Sequence, residues 1–203
     1  MAWLQQCIPE YDSNGPGERV RRTEREESLR HNGKWTRLKH ARRKVALFDG
    51  TICKLPFILH RLSNTLVAIG AFPSSHPPNH VLINEYLPGE GIMPHTDGPA
   101  YDSRTATISL GGSDVIFKLW PRQQHDTELP TSSTNAQPSL EVILHGNGSL
   151  VLFKNDAYLH HCHEISEVLE ERTSSSGICG NGVKGGTLVK RGYRISLTFR
   201  CKK

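Results

Sequence analysis

The chain lacks the paired cysteines of a disulfide framework or a zinc finger. Its five cysteines, Cys7, Cys53, Cys162, Cys179 and Cys201, are odd in number and scattered, and no two have C-x-x-C spacing. No apolar run approaches the roughly 18 residues that a membrane span needs. The N-terminus carries charges where a signal peptide would need its apolar stretch. No internal repeat is apparent. These absences argue against a secreted, zinc-finger or membrane protein. They set the expectation of a soluble intracellular monomer in a reducing compartment, in the cytoplasm and/or the nucleus.

With 203 residues, 36% hydrophobic and 22% charged, the chain has the size of one domain with room for extra loops. The net charge is +5, and much of the positive charge lies early, from Arg19 to Lys44. Such an imbalance suits an acidic partner such as nucleic-acid phosphate, or simply a solvated basic face. Residues 1–33 are rich in Gly, Pro, Ser and charge, show no sustained apolar stripe, and read as a weakly ordered segment ahead of a domain over 34–203. Within that domain "LPFILHRLSNTLVAIG" (55–70) predicts a helix, with Pro56 near its start and Phe57, Leu62, Leu66 and Ile69 near helical spacing.

From residue 80 the pattern changes to short strands: "HVLINEYL" (80–87), "TATISL" (105–110), "VIFKLW" (115–120), "LEVILH" (140–145), "SLVLFK" (149–154) and "YRISLTFR" (193–200). The "GNG" between 145 and 149 predicts a hairpin. Residues 121–139 and 172–187 predict long loops. Short strands behind a helix predict a mainly β fold with a supporting helix, either a β-sandwich or a jelly roll (double-stranded β-helix).

The clearest site signal is "MPHTDGP" (93–99), an H-x-D pair. In an extended segment residues i and i+2 point the same way, so His95 and Asp97 can face one metal. With one distal histidine they would form the facial triad of non-heme iron oxygenases, which leaves positions open for a cosubstrate and dioxygen. Candidates lie in "YLHHCHEI" (158–165), where His161 and His163 share a strand face and His160 points away. Arg194 and Arg200 fall on one face of the last strand, six residues apart, and arginine is the natural partner of a carboxylate. A straight strand would separate them by roughly 20 Å, so twist and side-chain reach must close the gap.

The ordered set Asn84-x-Tyr86, His95-x-Asp97, His163 and Arg194 to Arg200 resembles the AlkB family of Fe(II)- and 2-oxoglutarate-dependent dioxygenases. "NHVLINEYLPGEGIMPHTDGP" and "RGYRISLTFR" look closest to the sixth vertebrate AlkB homologue subfamily. The resemblance implies that His95, Asp97 and His163 bind Fe(II) and carry the catalysis. It implies that Arg200 pairs with the cosubstrate carboxylate next to the keto group, and that Arg194, Tyr86 and Ser196 hold the far carboxylate while Asn84 donates a hydrogen bond. It selects His163 as the distal ligand, because "HEI" fits the family pattern. "KWTRLKHARRKVALFDG" (34–50) maps to a nucleotide lid, with Trp35, Arg42 and Arg43 as substrate contacts. The family's usual N-terminal strand and helix are not recognisable in residues 1–33.

The implied function is oxidative demethylation of N-alkylated RNA or DNA with 2-oxoglutarate and dioxygen. The alternatives are a nucleic-acid-binding module with little catalysis, or an oxygenase acting on a methylated protein side chain. Replacing His163 with Ala should abolish iron-dependent turnover while His160→Ala barely changes it, as read by succinate release. The reverse result would place the ligand in the wrong strand register.

Overall fold

A computed structural model describes residues 32–39, 41–122, 138–175, 179–180 and 182–203. Most of the segment expected to be weakly ordered over 1–33, and most of the loop expected over 121–139, lie outside the described residues. The fold is mainly antiparallel β. One sheet has the order β1 (Trp35–Arg37), β2 (Lys44–Asp49), β3 (His80–Tyr86), β12 (Arg194–Lys202), β5 (Tyr101–Leu110), β8 (Ser149–Lys154). A smaller sheet has the order β4 (Ile92–His95), β9 (His161–Ile165), β6 (Val115–Pro121), β7 (Leu140–Leu144). Strands β10 (Glu170–Arg172) and β11 (Leu188–Lys190) pair with each other. The two larger sheets face one another as a jelly roll, with Val115, Phe117, Leu119, Leu144 and Ile165 of the smaller one packed on Phe153 of β8.

The period-two alternation of the large sheet divides its chemistry between two faces. β12 pairs on one side with β3 (Leu197 with Ile83, Phe199 with Val81) and on the other with β5 (Phe199 with Ala106). Residues paired across strands point to the same face. These residues, with Ala46 and Phe48 of β2, therefore form one apolar layer against Leu59 and Leu66 of helix α1 (Phe57–Ala68). The opposite face carries Asn84, Tyr86, Thr105, Thr107, Ser109, Arg194, Ser196, Thr198 and Arg200, and looks toward the smaller sheet.

Helix α1 lies within the predicted 55–70, but its buried face differs from the expected one. Leu59, Ser63 and Leu66 are buried, whereas Phe57 is 74% and Ile69 60% exposed. The apolar arc is broad, with Ile58, Leu62 and Val67 also packed on the core, so spacing alone did not fix its centre. Gly70 ends the helix at a φ of +76°.

The "GNG" hairpin is not formed. Leu144 pairs with Val115 in one sheet and Ser149 with Ser109 in the other, so the turn carries the chain between sheets. The reason lies in the neighbouring Gly111–Gly112 turn, which crosses between the same sheets. Gly112 N–H donates to the Gly146 carbonyl at 3.1 Å and Gly148 N–H to that of Ser109 at 3.0 Å. A Cβ at Gly146 would lie 2.3 Å from Ser113 N, so only glycine permits this contact. The loop expected at 172–187 is closed at its base by the β10–β11 pairing, from Glu170 opposite Lys190 to Arg172 opposite Leu188. Among the described residues no helix is long and apolar enough to cross a membrane.

Phe199 is fully buried between the neighbouring strands and α1. Phe199→Ala should cost about 3–5 kcal/mol of stability, measured by urea unfolding, because the cavity cannot collapse between paired strands.

Candidate metal centre

β4 is an edge strand, where Pro94, with no N–H to donate, is tolerated. Ile92 pairs with Ile165 and His95 with His163, three residues on β4 against two on β9. This one-residue bulge turns His95 inward on the same side as Ile92, which packs in the inter-sheet core. The His95 and His163 rings stand 4.2 Å apart. Asp97 follows in the loop, and one ligand atom from each of His95, Asp97 and His163 lies within 4.8 Å of the others.

Each of the three side chains is held by its surroundings. His95 Nδ1 donates to the Met93 carbonyl at 2.8 Å, which leaves Nε2 with its lone pair for a metal. Asp97 Oδ2 accepts from Thr105 Oγ1 at 2.6 Å, and Oδ1 accepts from Arg200 Nη1 at 2.9 Å. His163 packs against the rings of Phe153 (4.7 Å) and Phe117 (5.6 Å). Burial pushes the imidazolium form of His95 below its ordinary range, against the opposing pull of the Met93 carbonyl. Burial and the neighbouring His95 do the same more strongly to His163. Both rings are thus kept neutral, the form that ligates a metal. Tyr158 Oη donates to the Gly98 carbonyl at 3.0 Å and anchors the loop just past Asp97. Its phenol is pushed up to about 12 by burial and then by Asp97.

Beside the three lies a cavity lined on the large-sheet side by Asn84, Tyr86, Thr107, Arg194, Ser196 and Thr198. Arg194 is 2% exposed, its Nε donates to Ser109 Oγ at 2.9 Å, and its guanidinium lies over the Tyr86 ring at 5.2 Å. Its Nη1 is buried with no hydrogen-bond partner, and among the described residues no carboxylate pairs with it. A buried cation without an anion is costly, and an incoming carboxylate supplies what is missing. Asn84 Nδ2 donates to Ser196 Oγ at 3.3 Å. Arg200 does not line this cavity. Its Nη1 donates to Asp97 Oδ1, its guanidinium stacks over Tyr101 at 4.2 Å, and its Nε is buried without a partner among the described residues. The two arginines therefore work at opposite ends, as the spacing of roughly 20 Å along a strand requires.

Of the histidine run, only His163 joins the cluster. His160 is exposed at the end of α2 (Asp156–Leu159), and His161 Nδ1 donates to the Asp156 carbonyl at 3.1 Å. Of the lid residues, Trp35 pairs with Ala46, whose face packs on α1, so its side chain belongs to the sheet face away from the cavity. Arg42 is exposed. Arg43 reaches inward, and its Nε donates to Asn84 Oδ1 at 3.1 Å.

Sequence reasoning missed Thr105, Ser109, Tyr158 and the contact of buried His80 with half-buried Tyr101, whose rings stand 5.1 Å apart. The first two were visible as the polar positions of "TATISL", on the face opposite Ala106 and Ile108. The others left no local signal.

A family model described as the 2OG-Fe(II) oxygenase superfamily matches residues 1–200, and the chain belongs to that superfamily. Membership implies Fe(II) and 2-oxoglutarate. The chain is 36% identical over 149 residues to "Probable RNA/DNA demethylase ALKBH6" of Danio rerio, covering 72% of this chain and 62% of that protein. It is 31% identical over 130 residues to "tRNA (carboxymethyluridine(34)-5-O)-methyltransferase ALKBH8" of Macaca fascicularis, over 62% of this chain and 18% of that one. The chain thus spans less than two thirds of either relative. A solved structure of OsALKBH1 aligns over 78% of both chains at 14% identity and a TM-score of 0.46.

His80, buried beside Arg200, offers a test of the polar face. Burial and then the Arg200 charge lower its pKa from 6.5 to about 4. Between those values the unfolded chain carries a proton on this residue and the folded chain does not. Its contribution is therefore complete above pH 6.5 and is lost as pH falls toward 4. Urea unfolding should show stability falling between pH 7 and 5 by about 2 kcal/mol less in His80→Gln than in the parent.

Proposed function

We propose that the chain is an Fe(II)- and 2-oxoglutarate-dependent oxygenase that removes N-alkyl groups from RNA or DNA by oxidation. The observation that carries this reading is the juxtaposition of His95, Asp97 and His163 with a cavity that ends at Arg194, whose buried Nη1 has no partner.

In this reading His95 Nε2, a carboxylate oxygen of Asp97 and a ring nitrogen of His163 would hold the iron, and two neutral imidazoles with one carboxylate are a donor set suited to Fe(II). Arg194 receives the far carboxylate of 2-oxoglutarate through Nη1, with Tyr86 and Ser196 beside it. Asn84 donates to the cosubstrate from the adjoining strand. Arg200 holds Asp97 and stands next to the cosubstrate's near carboxylate. The bound iron supplies the activation of dioxygen, with 2-oxoglutarate consumed to succinate. The protein orients the cosubstrate and keeps the ligand nitrogens deprotonated. The hydroxylated N-methyl group then leaves as formaldehyde.

Nucleic acid is the substrate class favoured by two observations. The β1–β2 hairpin, paired to β3 through β2, carries Lys34, Arg37, Lys39, Arg42 and Lys44 at exposed positions, and the relative from Danio rerio bears a demethylase name. Clustered cations of this kind suit a phosphate backbone. A cytoplasmic or nuclear setting belongs to the same proposal.

Incubated aerobically with Fe(II), 2-oxoglutarate and a panel of N-methylated RNA and DNA oligonucleotides, the protein should release succinate and formaldehyde in equal amounts, and His95→Ala should release neither. Binding without turnover across the panel, with iron and cosubstrate shown to be taken up, would favour a binding module. Turnover on methyl-lysine or methyl-arginine peptides alone would move the substrate to protein.

A further inference from the structure

Arg43 stands on the lid hairpin, where its charge suggests contact with phosphate, yet the hydrogen bond it makes to a side chain points the other way. Its Nε donates to Asn84 Oδ1 at 3.1 Å, and Asn84 is 3% exposed on the cavity face of β3. A guanidinium has five N–H donors and no acceptor. It can therefore meet only the oxygen of the Asn84 amide, and so it fixes which way round that amide stands. One amide N–H is then taken by Ser196 Oγ at 3.3 Å. The other is left for the cavity, between Tyr86 and Leu82 on its own strand. Without Arg43, the amide can turn over and present an oxygen to an anionic cosubstrate.

We propose that Arg43 is a positioning residue for the cosubstrate. It acts through Asn84, setting the amide so that an N–H faces the ligand, and it ties the β1–β2 hairpin to the cosubstrate shelf. The inference rests on the cavity being the 2-oxoglutarate site. A second tether supports the coupling. Arg37, on the same hairpin, lies 3.7 Å from the carboxylate of Glu90, which in turn accepts from Leu87 N–H in the turn just past β3. The hairpin is thus fastened at both ends of the segment that carries Asn84 and Tyr86, so its placement and the cosubstrate shelf are set together.

The Arg43 side chain offers a clean comparison. Lysine, like arginine, carries N–H donors and no acceptor. Arg43→Lys therefore keeps the donor-only constraint on the Asn84 amide, while Arg43→Met keeps the length and removes donor and charge together. The full chain, loaded with Mn(II) and free of oxygen, is titrated calorimetrically with 2-oxoglutarate, and separately with a single-stranded oligonucleotide.

Arg43→Met should weaken 2-oxoglutarate binding about tenfold, and Arg43→Lys should stay within about threefold of the parent. Thermal midpoints should agree between the two variants, since each preserves the packing of the chain stem. If both variants bind 2-oxoglutarate like the parent and Arg43→Met loses only oligonucleotide affinity, Arg43 is a phosphate contact only and the proposal fails. Equal losses of 2-oxoglutarate affinity in Met and Lys also overturn it, by showing that a donor without an acceptor at this position does not preserve binding. A parent protein that takes the metal but no 2-oxoglutarate overturns the oxygenase reading itself, and the role of Arg43 with it.

Discussion

The structure depends on the register of β12 between β3 and β5. This strand alternates without interruption from Arg194 to Arg200, with Ile195, Leu197 and Phe199 toward helix α1 and the polar residues toward the smaller sheet. A slip of one residue would exchange the two sets, burying two arginines against a helix and opening the apolar layer to the cavity. The cost of that exchange pins the register. The same alternation on β3 and β5 then stacks Tyr86, Arg194 and the neighbouring Ser109 in one region, and Asn84 beside Ser196 in the next. Folding energy and site geometry thus come from a single pattern, with stability on one face and ligand chemistry on the other.

Polar groups gathered on a buried face must find partners, and most do so within the fold. Asp97 is held by Thr105 and Arg200, Asn84 by Arg43 and Ser196, and His95 by the Met93 carbonyl. Two guanidiniums of that face are short of an acceptor, Arg194 at Nη1 on the cavity wall and Arg200 at Nε. The unmatched Nη1 on the cavity wall suits an anion from outside. The neutral state of the two histidines belongs to the same design. Desolvation, which would penalise an imidazolium, leaves the ring nitrogens ready for a cation.

Strands rich in alternating residues were legible, and "YRISLTFR" and "TATISL" became β12 and β5 with their faces as read. Short segments without a two-residue rhythm were not. β1 and β2 lie in a basic stretch, β4 contains Pro94, and β10 and β11 are three residues each, so none carried enough periodicity to stand out. The failed hairpin at "GNG" shows the limit of turn chemistry. Glycines of that kind close a two-stranded hairpin or pass a chain between two sheets, and the choice rests with the distant Gly111–Gly112 turn.

What the sequence determined by itself was the inventory and its phase: an H-x-D pair, a distal histidine, and two arginines on one face of the last strand. The placement of Arg194 and Arg200 on one face holds because neighbours along a strand have a fixed geometric relation that any chain of this pattern obeys. What only the tertiary structure decided was which groups meet. The bulge in β4 turns His95 toward His163, Tyr158 anchors the loop beyond Asp97, and Arg43 turns back onto Asn84 of β3. Each of these depends on contacts between residues tens of positions apart. No local spacing records them, because they arise only when two sheets close on one another.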